Sequence, residues 1–402
     1  MPDAPDTLPP ATTQTQTVYL DHAATTPMLP AALEAMTTHL RDVGNPSSLH
    51  ASGRAARRIV EESRETIARA INCRPGEVVF TSGGTESDNL ALKGLFWSRR
   101  DADPARVRIL ASSIEHHAVL DALDWLAEEE HAQVELLPVT GRGRLDLDAY
   151  RDAVERDPGS VAVISVMWAN NEVGTIQPIE DVVAVAAAHG IPVHTDAVQA
   201  VGAVPVDFAA SGVDALTLTG HKLGGPYGVG ALVLRRELTL TPLLHGGGQE
   251  RDIRSGTLDM PAIAGFATAV EHAVKAQPEY AERMTALRDS LVRRVTEVVP
   301  DAHVHGDREA RLPGNAHLGF PGCEGDSLLM LLDARGIECS TGSACSAGVP
   351  QPSHVLLAMG CDAEGARHSL RFTLGRTSTE SDIDALVAAI GPAVQRARGV
   401  RL

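Results

Sequence analysis

Lys222 and Asp196 are the two residues of this 402-residue chain whose pairing points most directly to chemistry. Asp196 closes an apolar run, and Lys222 follows inside Gly220-His221-Lys222-Leu223-Gly224-Gly225. A lysine amine forms a Schiff base with an aldehyde, and a carboxylate facing a pyridine nitrogen keeps it protonated, so the ring withdraws electrons from a bound amino acid. Those are the two polar requirements of pyridoxal phosphate. A third, an anion cup, fits Ser82-Gly83-Gly84-Thr85, where small residues lie between a strand pattern and a helix pattern and leave backbone N–H groups free at the positive helix end. Neither the P-loop nor the G-x-G-x-x-G pattern is present there, which argues against a nucleoside triphosphatase or a dinucleotide enzyme. Singly, each feature has an ordinary explanation, an ion pair for Asp196 and Lys222 or a capped turn at Thr85. Together they favour a cofactor site. His116 suits stacking on a ring and moving protons, since imidazole titrates near neutral pH without much tuning. Its neighbour His117 is expected to point elsewhere, because consecutive side chains diverge.

Cys345 is the residue that selects among reactions. It lies in Ser340-Thr341-Gly342-Ser343-Ala344-Cys345-Ser346-Ala347-Gly348, which has no apolar period and reads as an exposed loop able to present a thiolate. The other cysteines, Cys73, Cys323, Cys339 and Cys361, lack that setting. The spacings from Cys345 to Cys339 and to His354 do not fit a closed zinc module, so no metal is expected. His303 and His305, alternating on a short strand, are expected on opposite faces.

The elements that position these residues follow a repeated pattern. Strand-like runs at 77–81, 107–111, 161–167, 191–196, 215–219 and 230–234 alternate with helical patterns, the signature of an α/β fold with a mostly parallel sheet covered by helices. Ligands in such sheets collect beyond the carboxyl ends of strands, where this sequence carries chemically capable residues nearly every time. Long helical patterns across 259–299 exit the sheet. Strands around 302–305, 316–320 and 368–373, with helices at 325–335 and 380–398, indicate a smaller α+β domain. Residues 1–17 read as a disordered tail. The divisions expected are 18–30 as an N-terminal segment packing with the small domain, 31–275 as the large cofactor-binding domain, and 276–402 as the small domain carrying the cysteine loop.

Composition narrows the partners. Lys and Arg number 35 against 52 Asp and Glu, a formal charge of −17 that repels nucleic acid and anionic membranes. No apolar run approaches the ~18 residues of a membrane span, and the first residues lack a secretory pattern, so a cytoplasmic protein is expected. Five cysteines, irregularly spaced, suit a reducing compartment. The pairs Arg57/Glu61, Arg58/Glu62 and Glu65/Arg69 make a self-paired helix face, which leaves docking of an acidic partner as a secondary reading.

The series Thr81-Ser82-Gly83-Gly84-Thr85-Glu86-Ser87-Asp88-Asn89, Asn170-Asn171-Glu172-Val173-Gly174, His194-Thr195-Asp196-Ala197-Val198-Gln199, Gly220-His221-Lys222, Arg254-Ser255-Gly256-Thr257 and Gly342-Ser343-Ala344-Cys345 resembles the motif series of the cysteine desulfurases (NifS/IscS-like) within the class V aminotransferases. The resemblance runs from about residue 18 to 390. It implies a fold-type I pyridoxal phosphate transferase with a seven-stranded large-domain sheet, working as a homodimer. By position, Lys222 resembles the Schiff-base lysine, Asp196 the partner of the pyridine nitrogen, and His116 the residue over the ring. Gly84, Thr85, Thr219 and His221 resemble phosphate-site residues, with Thr257 reaching in across the dimer interface. Asn171 and Gln199 resemble residues contacting the cofactor's ring face and phenolic oxygen, and Arg371, assisted by Asn45 and Asn171, the holder of the substrate carboxylate. The implied reaction converts L-cysteine to L-alanine, leaving a persulfide on Cys345 for an acceptor protein of iron–sulfur assembly, tRNA thiolation or DNA sulfur modification. Cys345 would also be the group for any transient iron–sulfur contact. A selenocysteine lyase, another class V aminotransferase, and a non-catalytic sulfur-relay scaffold stay open as alternatives.

Overall fold

A computed structural model describes residues 17–342 and 352–399. Seven strands form the central sheet in the order Val78–Thr81, Gly230–Leu234, Ala215–Thr219, Val193–Asp196, Val161–Ser165, Arg108–Ser112, Gln133–Leu137. Only Gly230–Leu234 runs antiparallel to its neighbours. Six of the seven are buried along their whole length, as a helix-covered sheet requires, and the Val, Ile, Leu and Ala runs in most of them follow from that. Gln133–Leu137 is the strand the alternation left out. It is an edge strand with one buried residue, Leu137, and a glutamate at its centre, so it carries little hydrophobic signal.

The helices divide between the two faces. Gly84–Ala102 and His117–Glu130 bury Leu92, Leu95, Phe96 and Leu123 against one, together with Val79 and Ile109 of the strands. Ala51–Ala70 and Met260–Lys275 bury Val60, Ile67, Ile263 and Phe266 against the other, with Phe80, Leu216 and Val233. The sheet and its helices therefore form a three-layered α/β unit.

Gln277–Val298 leaves the sheet and enters a separate core with Glu380–Gly399, built on Met284, Leu291, Phe320, Phe372 and Ile390. Here Ser369–Thr373, Asn315–Gly319 and His303–Val304 form a three-stranded antiparallel sheet. Val18–Tyr19 pairs in parallel with Ile337–Glu338, and Val18 and Leu20 belong to this core.

His303 and His305 do not separate. The strand ends at Val304, and the two rings lie 4.7 Å apart, with His317 next at 5.4 Å from His305. Gly319 makes room for them, since a β-carbon there would sit 2.5 Å from the His303 ring and 2.9 Å from His305. Among the described residues no group of three or more His, Cys, Asp or Glu is arranged to hold a metal.

Candidate active site

The ends of four central strands open onto a cleft of about 390 Å³. The chain reverses tightly after Thr81. Gly83 has φ +152°, and Gly230 crosses it so closely that a β-carbon on Gly230 would lie 2.8 Å from the Gly83 α-carbon. The following helix begins at Gly84 with no side-chain cap, so the first-turn N–H groups of Gly84 and Thr85 have no intrahelical acceptor. Gly84, Thr85, Thr219 and His221 all line the cleft, which gives it an anion cup at a helix N-terminus.

Asp196 and Lys222 line the same cleft. Asp196 Oδ1 accepts from the Val198 N–H at 2.9 Å. Burial and then the neighbouring Asp88 raise its carboxyl to about 7. Burial lowers the Lys222 amine to about 8, opposed by Asp196 and reinforced by Arg371. A lysine so shifted has more of its neutral, nucleophilic form near pH 7 than a surface lysine has.

His116 is the N-cap of His117–Glu130 and accepts from the Ala118 N–H through Nδ1 at 3.1 Å, which puts the hydrogen of the neutral ring on Nε2. Burial and then Lys222 push it down to about 4. The expectation of an untuned imidazole is thus corrected: the ring is held neutral by burial, with Nδ1 occupied and Nε2–H left to donate. His117 lines the cleft as well, contrary to expectation. The chain turns into the helix between the two residues, so their side chains do not diverge as on a strand. Its ring packs edge-on against His354 at 5.0 Å.

Asn171 and Gln199 line the cleft, with Gln199 Nε2 donating to the Ala23 carbonyl at 3.0 Å. Arg371 reaches in from Ser369–Thr373 of the three-stranded sheet, donating through Nη1 to the Asn171 carbonyl at 3.0 Å and through Nη2 to Asp21 at 2.7 Å. In the single chain Asn45 and Thr257 are not among the lining residues. Asn45 accepts from the Ser47 N–H at 2.9 Å, and Thr257 is exposed ahead of Met260–Lys275.

Cys345 lies outside the described residues, but Gly342 and His354, near the two ends of its segment, line the cleft. Sequence reasoning missed Glu172, whose buried carboxyl accepts from Ser353 Oγ at 2.5 Å and sits 3.5 Å from a β-carbon built on Gly342. It also missed Asp88. Both stand inside motifs singled out above, and only their burial shows that they face inward. The anion cup, acid and amine meet in one cavity, so these residues fit pyridoxal phosphate. A second cavity of about 310 Å³ shares Lys222 and Gln199 with the cleft and is lined by His22, Tyr280, Arg283 and Arg376, but it lacks the cup and Asp196.

Comparisons with known proteins agree with this arrangement. The family described as aminotransferase class-V matches residues 18–386. An IscS-like cysteine desulfurase of Mycobacterium tuberculosis is 58% identical over 385 residues, covering 96% of this chain and 98% of its own. A solved NifS-like protein superposes with a TM-score of 0.87 at 36% identity, covering 94% of this chain and 100% of that one. A structure described as SspA in complex with cysteine has a TM-score of 0.78 at 34% identity, over 89% and 99% of the two chains.

Proposed function

The chain belongs to the class V aminotransferase family, among its cysteine desulfurases, and we propose that it removes sulfur from L-cysteine with pyridoxal phosphate, yielding L-alanine and a persulfide on Cys345 that passes to an acceptor protein. The observation that carries this reading is the meeting of Lys222, Asp196 and the uncapped Gly84 helix in one cleft, whose lining includes Gly342 and His354 on either side of the Cys345 segment.

Gly84, Thr85, Thr219 and His221 would hold the phosphate, Asp196 the ring nitrogen, and Asn171 and Gln199 the ring face and its oxygen. When bound, the cofactor supplies an aldehyde for amines and a ring that takes up the electron pair released at Cα. Lys222 would hold the cofactor's aldehyde, and its amine, when free, would move a proton at the substrate Cα. His116, whose Nδ1 is engaged by the Ala118 N–H, would give a proton from Nε2 and take it back there, assisting protonation. Arg371, with Asn45 and Asn171 assisting, would orient the substrate carboxylate through paired N–H donors. The Cys345 thiolate attacks the substrate sulfur. An S–S bond forms, the C–S bond breaks with its electron pair retained on carbon, and protonation there gives alanine, so one cysteine and one thiol become one alanine and one persulfide.

Further parts of the proposal are a homodimer in which Thr257 of the partner subunit completes the phosphate site, a division of labour between 31–275 and 276–402 with 18–30 clasping the latter, and a cytoplasmic setting that keeps Cys345 reduced. The test is a single turnover with L-cysteine. Alanine and persulfide should appear one-to-one, and Lys222→Ala should lose the yellow colour and both products. Alanine without persulfide, or a preference for selenocysteine or for alanine plus a keto acid, overturns the assignment.

A further inference from the structure

Glu172 is a buried acid that the reaction above does not use. It lines the cleft and follows directly on Asn171, whose carbonyl accepts from Arg371. Its own N–H and C=O are both engaged by buried side-chain amides. Asn170 Oδ1 accepts from the Glu172 and Val173 N–H groups at 2.9 Å each, while Asn170 Nδ2 donates to the Ile114 carbonyl at 2.9 Å. From Asn315–Gly319 of the three-stranded sheet, Asn315 Nδ2 donates to the Glu172 carbonyl at 3.1 Å, and a β-carbon on Gly174, which has φ +78°, would meet Asn315 at 2.8 Å. A satisfied, close-packed polar network of this kind fixes the turn and with it the direction of the Glu172 side chain. What that side chain meets lies far along the chain. Ser353 Oγ donates to Oε2 at 2.5 Å and accepts from the Leu356 N–H at 3.1 Å as the N-cap of His354–Ala358. An amide N–H can only donate, so the hydroxyl hydrogen is left for the carboxyl. Gly342, at φ +86°, brings its backbone against the same oxygen, which lies 3.5 Å from the place a β-carbon would take. Gly342 and Ser353 stand on either side of Cys345, so one carboxyl touches the chain before the cysteine and after it.

We infer that Glu172 is a positioning residue for Cys345: by holding Gly342 and Ser353 to the turn that also carries Asn171, it sets where the thiol can reach over the substrate. This rests on the reading of Cys345 as the sulfur acceptor given above. The consecutive residues Asn171 and Glu172 then give the cofactor side and the thiol side of the reaction one common mount. Such a mount matters because a misplacement of reacting groups by ~1 Å can cost ~10²-fold in rate. A carboxyl out of water is costly unless its contacts serve it, and those of Glu172 are spent on the two flanks of a single cysteine.

The test uses the holoenzyme and reads two steps separately. One is the single-turnover rate of persulfide formation from L-cysteine. The other is exchange of the Cα hydrogen of L-alanine in heavy water, followed by NMR, which calls on the cofactor and Lys222 but on no thiol. Glu172→Ala should slow persulfide formation by about 10²-fold and leave alanine exchange unchanged, whereas a merely structural role would lower both. Glu172→Gln, which keeps an oxygen able to accept from Ser353, should recover most of the rate. If Glu172→Ala does not fold, Glu172→Asp serves in its place, since it keeps the charge and falls one methylene short of Ser353. Persulfide formation at the wild-type rate, alanine exchange that falls along with it, or Glu172→Gln as slow as Glu172→Ala overturns the inference. A wild type that exchanges alanine but forms no persulfide on Cys345 would instead bring down the reading on which it rests, so the two failures are distinguishable.

Discussion

Arg371 enters the cleft with part of its donor set already committed, one N–H to the Asn171 carbonyl and another to Asp21. Its planar fork can hold these contacts and still offer further N–H groups to a carboxylate, which a lysine cannot do. Arg371→Lys should therefore raise the KM for cysteine at least ~10-fold, the loss of one charge-assisted hydrogen bond, while kcat changes less. Steady-state kinetics decide, and an unchanged KM removes Arg371 from the substrate site. His116→Gln is expected to bind cofactor normally but slow turnover by about 10²-fold or more, the contribution of a positioned proton carrier. Cys345→Ser should keep the cofactor spectrum and form no persulfide on trapping with an alkylating reagent. Lys222, Asp196 and the small-residue turn were legible in the sequence because their chemistry is carried by residue type at strand ends. Asp88 and Glu172 were not, although both stood in recognised motifs, because a carboxyl's role there depends on burial and on partners far along the chain. Glu172 meets Ser353, 181 residues later.

At the level of elements, the edge of the sheet next to the cup is held by a buried charged contact. Arg64 of Ala51–Ala70 donates to both oxygens of Glu250 at 2.6 and 2.8 Å and to the Val78 carbonyl at 2.6 Å, while Glu250 accepts from the Phe80 N–H at 2.8 Å. Helix, strand and the loop before Met260–Lys275 are tied at a point with 8% and 2% exposure for the two residues. Glu250→Ala leaves the buried guanidinium with only the half-exposed Glu61, which accepts from Arg64 Nε at 3.2 Å, and should cost about 3 kcal/mol in a urea titration, well beyond an exposed pair such as Arg58–Glu62. The helical spacing of Arg57/Glu61 and its neighbours was readable in sequence, whereas Arg64–Glu250 is a contact between elements and leaves no local period. The unread edge strand Gln133–Leu137 and the converging His117 show the same limit: partial exposure and a change of backbone direction both erase the alternation on which pattern reading relies.

Across the whole molecule, buried histidines give the cofactor-free protein an acid-sensitive contribution to stability. His22, His116, His221 and His305 are all pushed down to about 4, burial being the largest cause for each. Because these folded-state values lie below the unfolded value of 6.5, their contribution is full above about 6.5 and is lost as pH falls through about 4. Asp196 acts in the opposite sense, its raised carboxyl favouring the folded form below the ordinary carboxylate range and losing that contribution as pH rises through about 7. His317, pushed down further by burial, acts with these four, while Glu115, Glu172 and Asp214, all raised by burial, act with Asp196, so the rings are read one at a time: His305→Gln should flatten part of any fall in the urea midpoint between about pH 6.5 and 4, and an unchanged slope would contradict the burial of that ring. The parallel pairing of Val18–Tyr19 with Ile337–Glu338, and the union of Asp21 with Arg371, 350 residues away, have a consequence for biosynthesis. A nascent chain emerging from the ribosome can assemble its central sheet long before the partner of its first strand exists. That strand waits, unpaired, for almost the full length of translation, so a helper that shields it should raise the yield of folded enzyme more than one acting on the sheet.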